Sequence, residues 1–409
     1  MRRKITSIFL IILALAITGI PLSCKPATAK EPYKIGVMAA VTGPLAGTSA
    51  PFTQGFMAYM AKLNEDGGIN GHPVEVMLED DRGEAGTAGF NVKKLTEQGV
   101  HLIYNSSLSA TFPPTIAEVN RVKIPALFAV VAPDEAMPPN PDPLIFGCGS
   151  HYATPTTTIM PFMARLVADT QGTGKIKMGV IGIEIPVSKN NVDNIVDTGA
   201  QFDVEGLGKV VPVGTADLSA VALAFKDWGA NWIHGAAPGP YIVMLYDDLV
   251  KMGDEVCVMD MAYIQPFEPT MEKFAGNPDY YESSMFVPFI FDLPEHREIS
   301  DALEKQGVND YHSAIIAGWM DGKAVAECLK KTGWPVNTDK LLDVMENLNL
   351  DLAPVMGPKV WTATDHVGPS YWRIYHWEGD KIVSVGPWIV TDVLGKDIRT
   401  VETLPGTKN

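Results

Sequence analysis

From Tyr33 onward, short aliphatic and β-branched runs alternate with longer segments of helical periodicity, and this alternation restricts the fold more than any other property of the chain. The order is "YKIGVMAA" then "APFTQGFMAYMAKLNEDG", "VEVMLEDD" then "TAGFNVKKLTEQG", "VHLIYN" then "PPTIAEVNRV", and "IPALFAVV". In the first helical segment Phe56, Met60 and Leu63 recur at four- and three-residue steps and give one apolar face for packing on a sheet. Strands that alternate with helices predict a doubly wound α/β layer with a parallel sheet. The rhythm pauses in the proline-rich "APDEAMPPNPDPLIFG" and restarts with a helix from about Thr156 and the strand "IKMGVIGI". It then repeats through "GKVVPV", "NWIHGAA" and "EVCVMD", so a second α/β unit follows the first. Three further helical stretches, near 295–306, 312–331 and 338–348, precede "SYWRIYHWEGDKIVSVGPW", which reads as a hairpin turning at "EGDK".

The first residues stand apart from this pattern. Arg2, Arg3 and Lys4 precede the apolar run Ile8 to Ile17, the layout of an export leader. That run is shorter than the ~20 residues a membrane-spanning helix needs, so the mature chain is expected to be soluble. Cleavage after "ATA" (Ala27 to Ala29) and acylation of Cys24 within "PLSC" are both open. Without Cys24, the cysteines Cys148, Cys257 and Cys328 show no CxxC spacing, so neither a disulfide framework nor a zinc site is expected. The chain holds 32 basic and 48 acidic residues, and the leader carries none of the acidic ones. A protein this acidic is a poor partner for nucleic acid.

Open α/β sheets bind ligands beyond the carboxyl ends of their strands. This directs attention to the loops after Ala40, Asp80, Asn105 and Val130 in the first unit, and after Ile183, Ala236 and Asp260 in the second. One of these loops, "YNSSLSATFPP", crowds Ser106, Ser107, Ser109 and Thr111 together. A nucleophile is disfavoured, because there is no GxSxG and His101 lies at the far end of its strand. Thr111 suits a helix cap before Pro113 and Pro114. The remaining serines face a helix N-terminus, where an anion is favoured, and so read as a ligand cradle, with polar loop filler as the alternative. "GTGK" (Gly172 to Lys175) lacks the pattern of a phosphate loop. The histidines show no metal-ligand spacing, and neither metal nor cofactor is expected.

The stretch "KIGVMAAVTGPLAGTSAPFTQGFMAYMAKLNEDGGINGHPVEVMLEDD" resembles the N-terminal region of the leucine/isoleucine/valine-binding family, the type I periplasmic binding proteins that serve ABC importers. The likeness continues through "IPALFAVVAP" and "YHSAIIAGWMDGKAVAECL" to the C-terminal hairpin. It implies two doubly wound α/β lobes joined by a three-segment hinge, with crossings near Phe146 to Ser150, Phe286 to Phe291 and Thr362 to Pro369. Lobe one would comprise 30–147 and 288–365, and lobe two 148–287 and 366–409, after a leader of 1–29. It also implies a monomeric, non-enzymatic protein at the periplasmic or extracytoplasmic face, which clamps a small molecule by hinge closure and delivers it to permease subunits. A ligand-sensing receptor domain on the same fold is the alternative.

By the same resemblance, the lobe-one cradle falls on Ser107, Leu108 and Ser109 and on Ala129, Val130 and Val131, with Thr48 in place of an aromatic. In lobe two, Val187, Ala237 and Pro238 stand where amino-acid binders carry tyrosines. Ala262 and Tyr263 stand near the position of the glutamate that would pair with an α-ammonium. The expected ligand is therefore a small carboxylate with an apolar or aromatic tail resting on Val187 and Tyr263, unless Asp260 or Glu184 swings in to meet an ammonium.

Overall fold

In the computed structural model, residues 30–172, 175–253, 258–262, 267–309 and 313–407 are described. The leader with Cys24, Cys257, Tyr263 and the tyrosine that precedes the late helix lie outside them. The first layer contains β1 (Tyr33–Ala39), β2 (Val74–Asp80), β3 (Leu102–Asn105), β4 (Ala126–Phe128) and β5 (Ile145–Gly147). All are parallel, in the order β2-β1-β3-β4-β5. They are connected through α1 (Ala46–Glu65), α2 (Ala85–Glu97) and α3 (Phe112–Val122). The fifth strand lies inside the proline-rich pause. It has three residues, too few for a periodic signal in the sequence.

After α4 (Ala153–Gln171), the chain forms β6 (Ile176–Ile183), α5 (Pro186–Ala200), β7 (Val204–Val211) and α6 (Ser219–Trp228). It continues through β8 (Trp232–Ala236), α7 (Gly239–Lys251), β9 (Val258–Ala262), α8 (Phe267–Lys273) and β10 (Tyr280–Ser284). The parallel part of this second sheet runs β7-β6-β8-β9-β10, the same winding as the first.

The chain then returns to the first layer with α9 (Pro294–Glu304), α10 (Ser313–Thr332) and α11 (Thr338–Met345). Helix α10 runs along α1 at backbone contact. A Cβ added at Gly55 would lie 1.9 Å from the Ile315 carbonyl oxygen, and one at Gly318 would lie 1.9 Å from that of Phe52. A small pair, β11 (Asn349–Leu350) and β12 (Lys359–Val360), follows. Last come β13 (Ser370–Glu378), β14 (Lys381–Thr391) and β15 (Arg399–Val401), which extend the second sheet beyond β10, each antiparallel to the strand before it in the sheet. No helix among the described residues is long and apolar enough to cross a membrane.

Strand β5 and the connection leaving it are fastened to β12 and the segment that follows it. Trp361 donates its indole N–H to the Gly147 carbonyl at 3.0 Å, Lys359 donates to the Cys148 carbonyl, and a ring nitrogen of His366 lies 2.9 Å from the Ile145 carbonyl. Lys359 is also 3.8 Å from Asp321 of α10, which accepts a 2.9 Å hydrogen bond from the Tyr104 hydroxyl of β3. All of these side chains are buried. Burial pushes the Asp321 carboxyl up to about 6, against the pull of the Lys359 charge. Because the folded value lies above the unfolded one, the contribution is fully present below the unfolded pKa, near 3.8, and is lost as pH rises through 6. Between about pH 3 and pH 7, wild-type stability should therefore fall by on the order of 3 kcal/mol more than that of Asp321→Asn. Denaturant titrations at stepped pH measure this, and parallel curves for the two proteins would contradict it.

Candidate ligand site

In a sheet wound 2-1-3-4-5, the strand order reverses between the first and third strands, and the crevice opens at their carboxyl ends. Here the two reversal points, β1/β3 and β6/β8, face one another across a cavity with about 460 Å³ of atom-free space, part of it open to solvent. From the first layer it is walled by Leu45, Thr48, Leu108, Ser109, Val130 and Val131. From the second come Ile185, Val187, Ser188, Asn191 and the Ala236–Pro238 turn. None of these residues is charged.

Four helical starts open onto this space. Leu45 precedes α1, Leu108 precedes the 3-10 turn Ser109–Thr111 that runs into α3, Ile185 precedes α5, and Pro238 precedes α7. None of these four preceding side chains caps its helix. The positive dipole ends thus face whatever occupies the cavity, although the N–H groups of Ala46, Thr48, Thr111, Val187 and Tyr241 are already bound within the protein. On the lobe-one wall, the N–H groups of Leu108, Ser109, Val130 and Val131 reach no protein acceptor among the described residues. The strongly polar groups at the surface of the cavity are the Thr48 and Ser109 hydroxyls and the Asn191 amide. The Ser188 hydroxyl is already engaged, accepting from the Ile183 N–H at 2.9 Å and donating to the Ala236 carbonyl at 2.5 Å.

The clustered hydroxyls of the 106–111 loop divide sharply by role. Ser106 shares a 2.8 Å hydrogen bond with Thr53 of α1. Ser107 is wholly buried: its hydroxyl donates to Asp81 at 2.6 Å and its N–H to the Asn105 side chain at 2.9 Å. Thr111 does not act as the expected cap, because the 3-10 turn feeds directly into α3. Its hydroxyl instead donates to the Leu108 carbonyl at 2.8 Å and accepts from Asn105 at 3.2 Å. Only Ser109 faces the cavity. There it accepts a 3.3 Å hydrogen bond from the Val187 N–H, which joins the two layers across the cleft.

The residues expected from the sequence are therefore only partly brought together. Thr48, Leu108, Ser109, Val130, Val131, Val187, Ala237 and Pro238 line one space. Ser107 and Ala129 lie behind its wall, with the Ala129 N–H bound to the Asn105 carbonyl at 2.9 Å. The two acids considered for an ammonium do not line it either. Asp260 is buried against the Trp232 indole N–H at 2.6 Å and His234 at 2.9 Å, and Glu184 is exposed outside the cavity. The sequence reading missed Leu45, Ile185, Ser188 and Asn191. Asn191 lies four residues after Val187 on α5, so helical spacing already placed the two on one face.

The chain belongs to the periplasmic binding protein family, whose sequence profile matches residues 32–381. It is 26% identical over 109 residues to the Leu/Ile/Val-binding protein homolog 4 of Brucella abortus (strain 2308). That match takes in 27% of this chain and 26% of the relative, so it spans about a quarter of the curated protein's length. In structure the chain is similar to a branched chain amino acid ABC transporter protein from Thermus thermophilus with bound valine. The TM-score is 0.77 at 15% identity, over 90% of this chain and 99% of that one. It is also similar to a solute binding protein from R. palustris in complex with 4-hydroxybenzoate, with a TM-score of 0.69 at 16% identity, over 87% and 96% of the two chains. Likenesses at such identities establish the two-lobed fold.

The placement of the serines has a direct consequence in the unliganded protein. Ser107→Ala leaves the buried Asp81 short of a donor and should lower the unfolding free energy by about 1–3 kcal/mol. Ser109→Ala, at the cavity surface, should cost about 0.5 kcal/mol. Chemical denaturation ranks the two, and equal or reversed effects would contradict the assignment.

Proposed function

We propose that this is an exported solute-binding protein of an ABC importer, and that it captures a small carboxylate with an apolar or aromatic body between its lobes. The observation that carries the reading is the composition of the cavity: no charged side chain among the described residues, apolar walls, and four uncapped helical starts. A carboxylate needs no cation in such a place, since the N–H groups of 108–109 and 130–131, the Thr48 hydroxyl and the helix dipoles supply favourable potential. An α-ammonium would meet the same positive ends with no acid to pair with, and an unpaired buried charge is costly. The apolar body would rest on Val187, Ala237 and Pro238. The valine-bound and 4-hydroxybenzoate-bound neighbours share one fold, so the choice between such ligands falls to the side chains of the cavity.

The lobes we assign to this function are 30–147 with 288–365, and 148–287 with 366–409. The supporting observations are the end of the first sheet at Gly147, the packing of α9 and α10 on α1, and the pairing of β13 with β10. Residues 1–29 serve as the export leader, with Cys24 as the anchor if the chain is acylated there. Permease subunits are the partners this role requires.

A thermal-shift panel that sets aliphatic and aromatic acids against the amino acids of matching side chain tests the reading. A ligand at a hundred times its Kd adds about 2.7 kcal/mol of stability. The acids should raise the melting temperature and their α-amino counterparts should not. Strong stabilisation by leucine or valine, with no response to the plain acids, would overturn it.

A further inference from the structure

A second, more open recess, with about 510 Å³ of atom-free space that is partly open to solvent, shares Ser109, Val131 and Val187 with the first. Its apolar lining is formed by the buried Phe112 and half-buried Ile116 of α3 and by the exposed Pro186 at the start of α5. Its outer rim is of different chemistry: Asp134 and Glu135 from one side, Tyr152 and Asn190 from the other. Asp134 is fixed there by His151, whose Nε2 lies 2.7 Å from its carboxylate. The cleft thus changes character along its length, from a positive inner end through an apolar middle to an acidic, hydrogen-bonding mouth.

We infer that this outer chamber is the distal subsite for the ligand. The protein would take an elongated monocarboxylic acid, whose apolar body passes the Ser109–Val187 contact and whose far end is neutral or donates a hydrogen bond. The inference rests on the carboxylate reading above and adds length and end-group selectivity to it. A benzoate-sized acid leaves the outer chamber unused. A longer body buries further methylenes against Phe112, Ile116 and Pro186, each strengthening binding by about three- to fourfold. A second carboxylate at the far end would approach Asp134 and Glu135 and be repelled, whereas a hydroxyl would find acceptors there.

Calorimetric titration of the full mature chain with the straight-chain acids from butanoate to decanoate, with 10-hydroxydecanoate and with decanedioate, tests this. Affinity should continue to rise through the series, 10-hydroxydecanoate should bind at least as tightly as decanoate, and decanedioate should bind at least about tenfold more weakly. Asn190→Trp, at an exposed rim position, should lower the decanoate-to-butanoate affinity ratio by about tenfold or more. Ile116→Trp fills the chamber from the opposite wall and should do the same. An affinity that peaks among the short acids, with a ratio unmoved in both variants, overturns the distal subsite while leaving the carboxylate reading intact. Failure of every acid to bind overturns both.

Discussion

The right-handed strand–helix–strand connection is the constraint on which the rest of this structure depends. A parallel sheet built from such units carries the carboxyl ends of all its strands, and the amino ends of all the helices that follow them, to one edge. Two sheets wound in the same order and set edge to edge therefore bring four positive helix ends around one space without any charged side chain. That arrangement frees the walls to be apolar, and Val130, Val131, Val187 and Ala237 make them so. The apolar core follows the same geometry: Leu45 and Leu108 of the first layer pack into the cluster that contains Ile181, Leu245 and Met261 of the second.

A set of buried polar groups gathers where the chain leaves the first sheet. Lys359, Trp361 and His366 all serve carbonyls of residues 145–148, and Asp321 and Tyr104 anchor Lys359 in turn. Removing one partner of a buried pair costs about 3–5 kcal/mol. The polar groups therefore specify where this crossing sits, while the close approach of α1 and α10 through Gly55 and Gly318 holds the returning helices on the first layer.

Much of this was legible in the sequence, for reasons that also explain what was not. Strand and helix alternation is a local signal, so four parallel strands of each sheet, the late helices and the hairpin turning at Gly379 and Asp380 could be read directly. Strand β5 escaped because three residues between prolines carry no period. The loop positions followed from the rule that ligands sit at strand ends, which is why Thr48, Ser109, Val131, Val187 and Ala237 meet in one cavity. Side-chain direction is a tertiary property, and here the sequence was silent. Nothing local distinguishes Ser107, turned inward to Asp81, from Ser109, turned outward to the Val187 N–H. Asp260 likewise looked free to enter the cleft until Trp232 and His234 were seen to hold it.

Helix ends and backbone N–H groups, with no cation, should make this cavity selective for an anion. Calorimetric titration with one tight-binding acid and its primary amide, equal in shape and differing in charge, measures it most directly. Four helix ends at about 0.3–1 kcal/mol each predict that the acid binds on the order of tenfold to several-hundredfold more tightly than the amide. The acid's affinity should fall with pH once its own carboxyl protonates. Equal affinity for acid and amide, with no dependence on pH, would contradict the account.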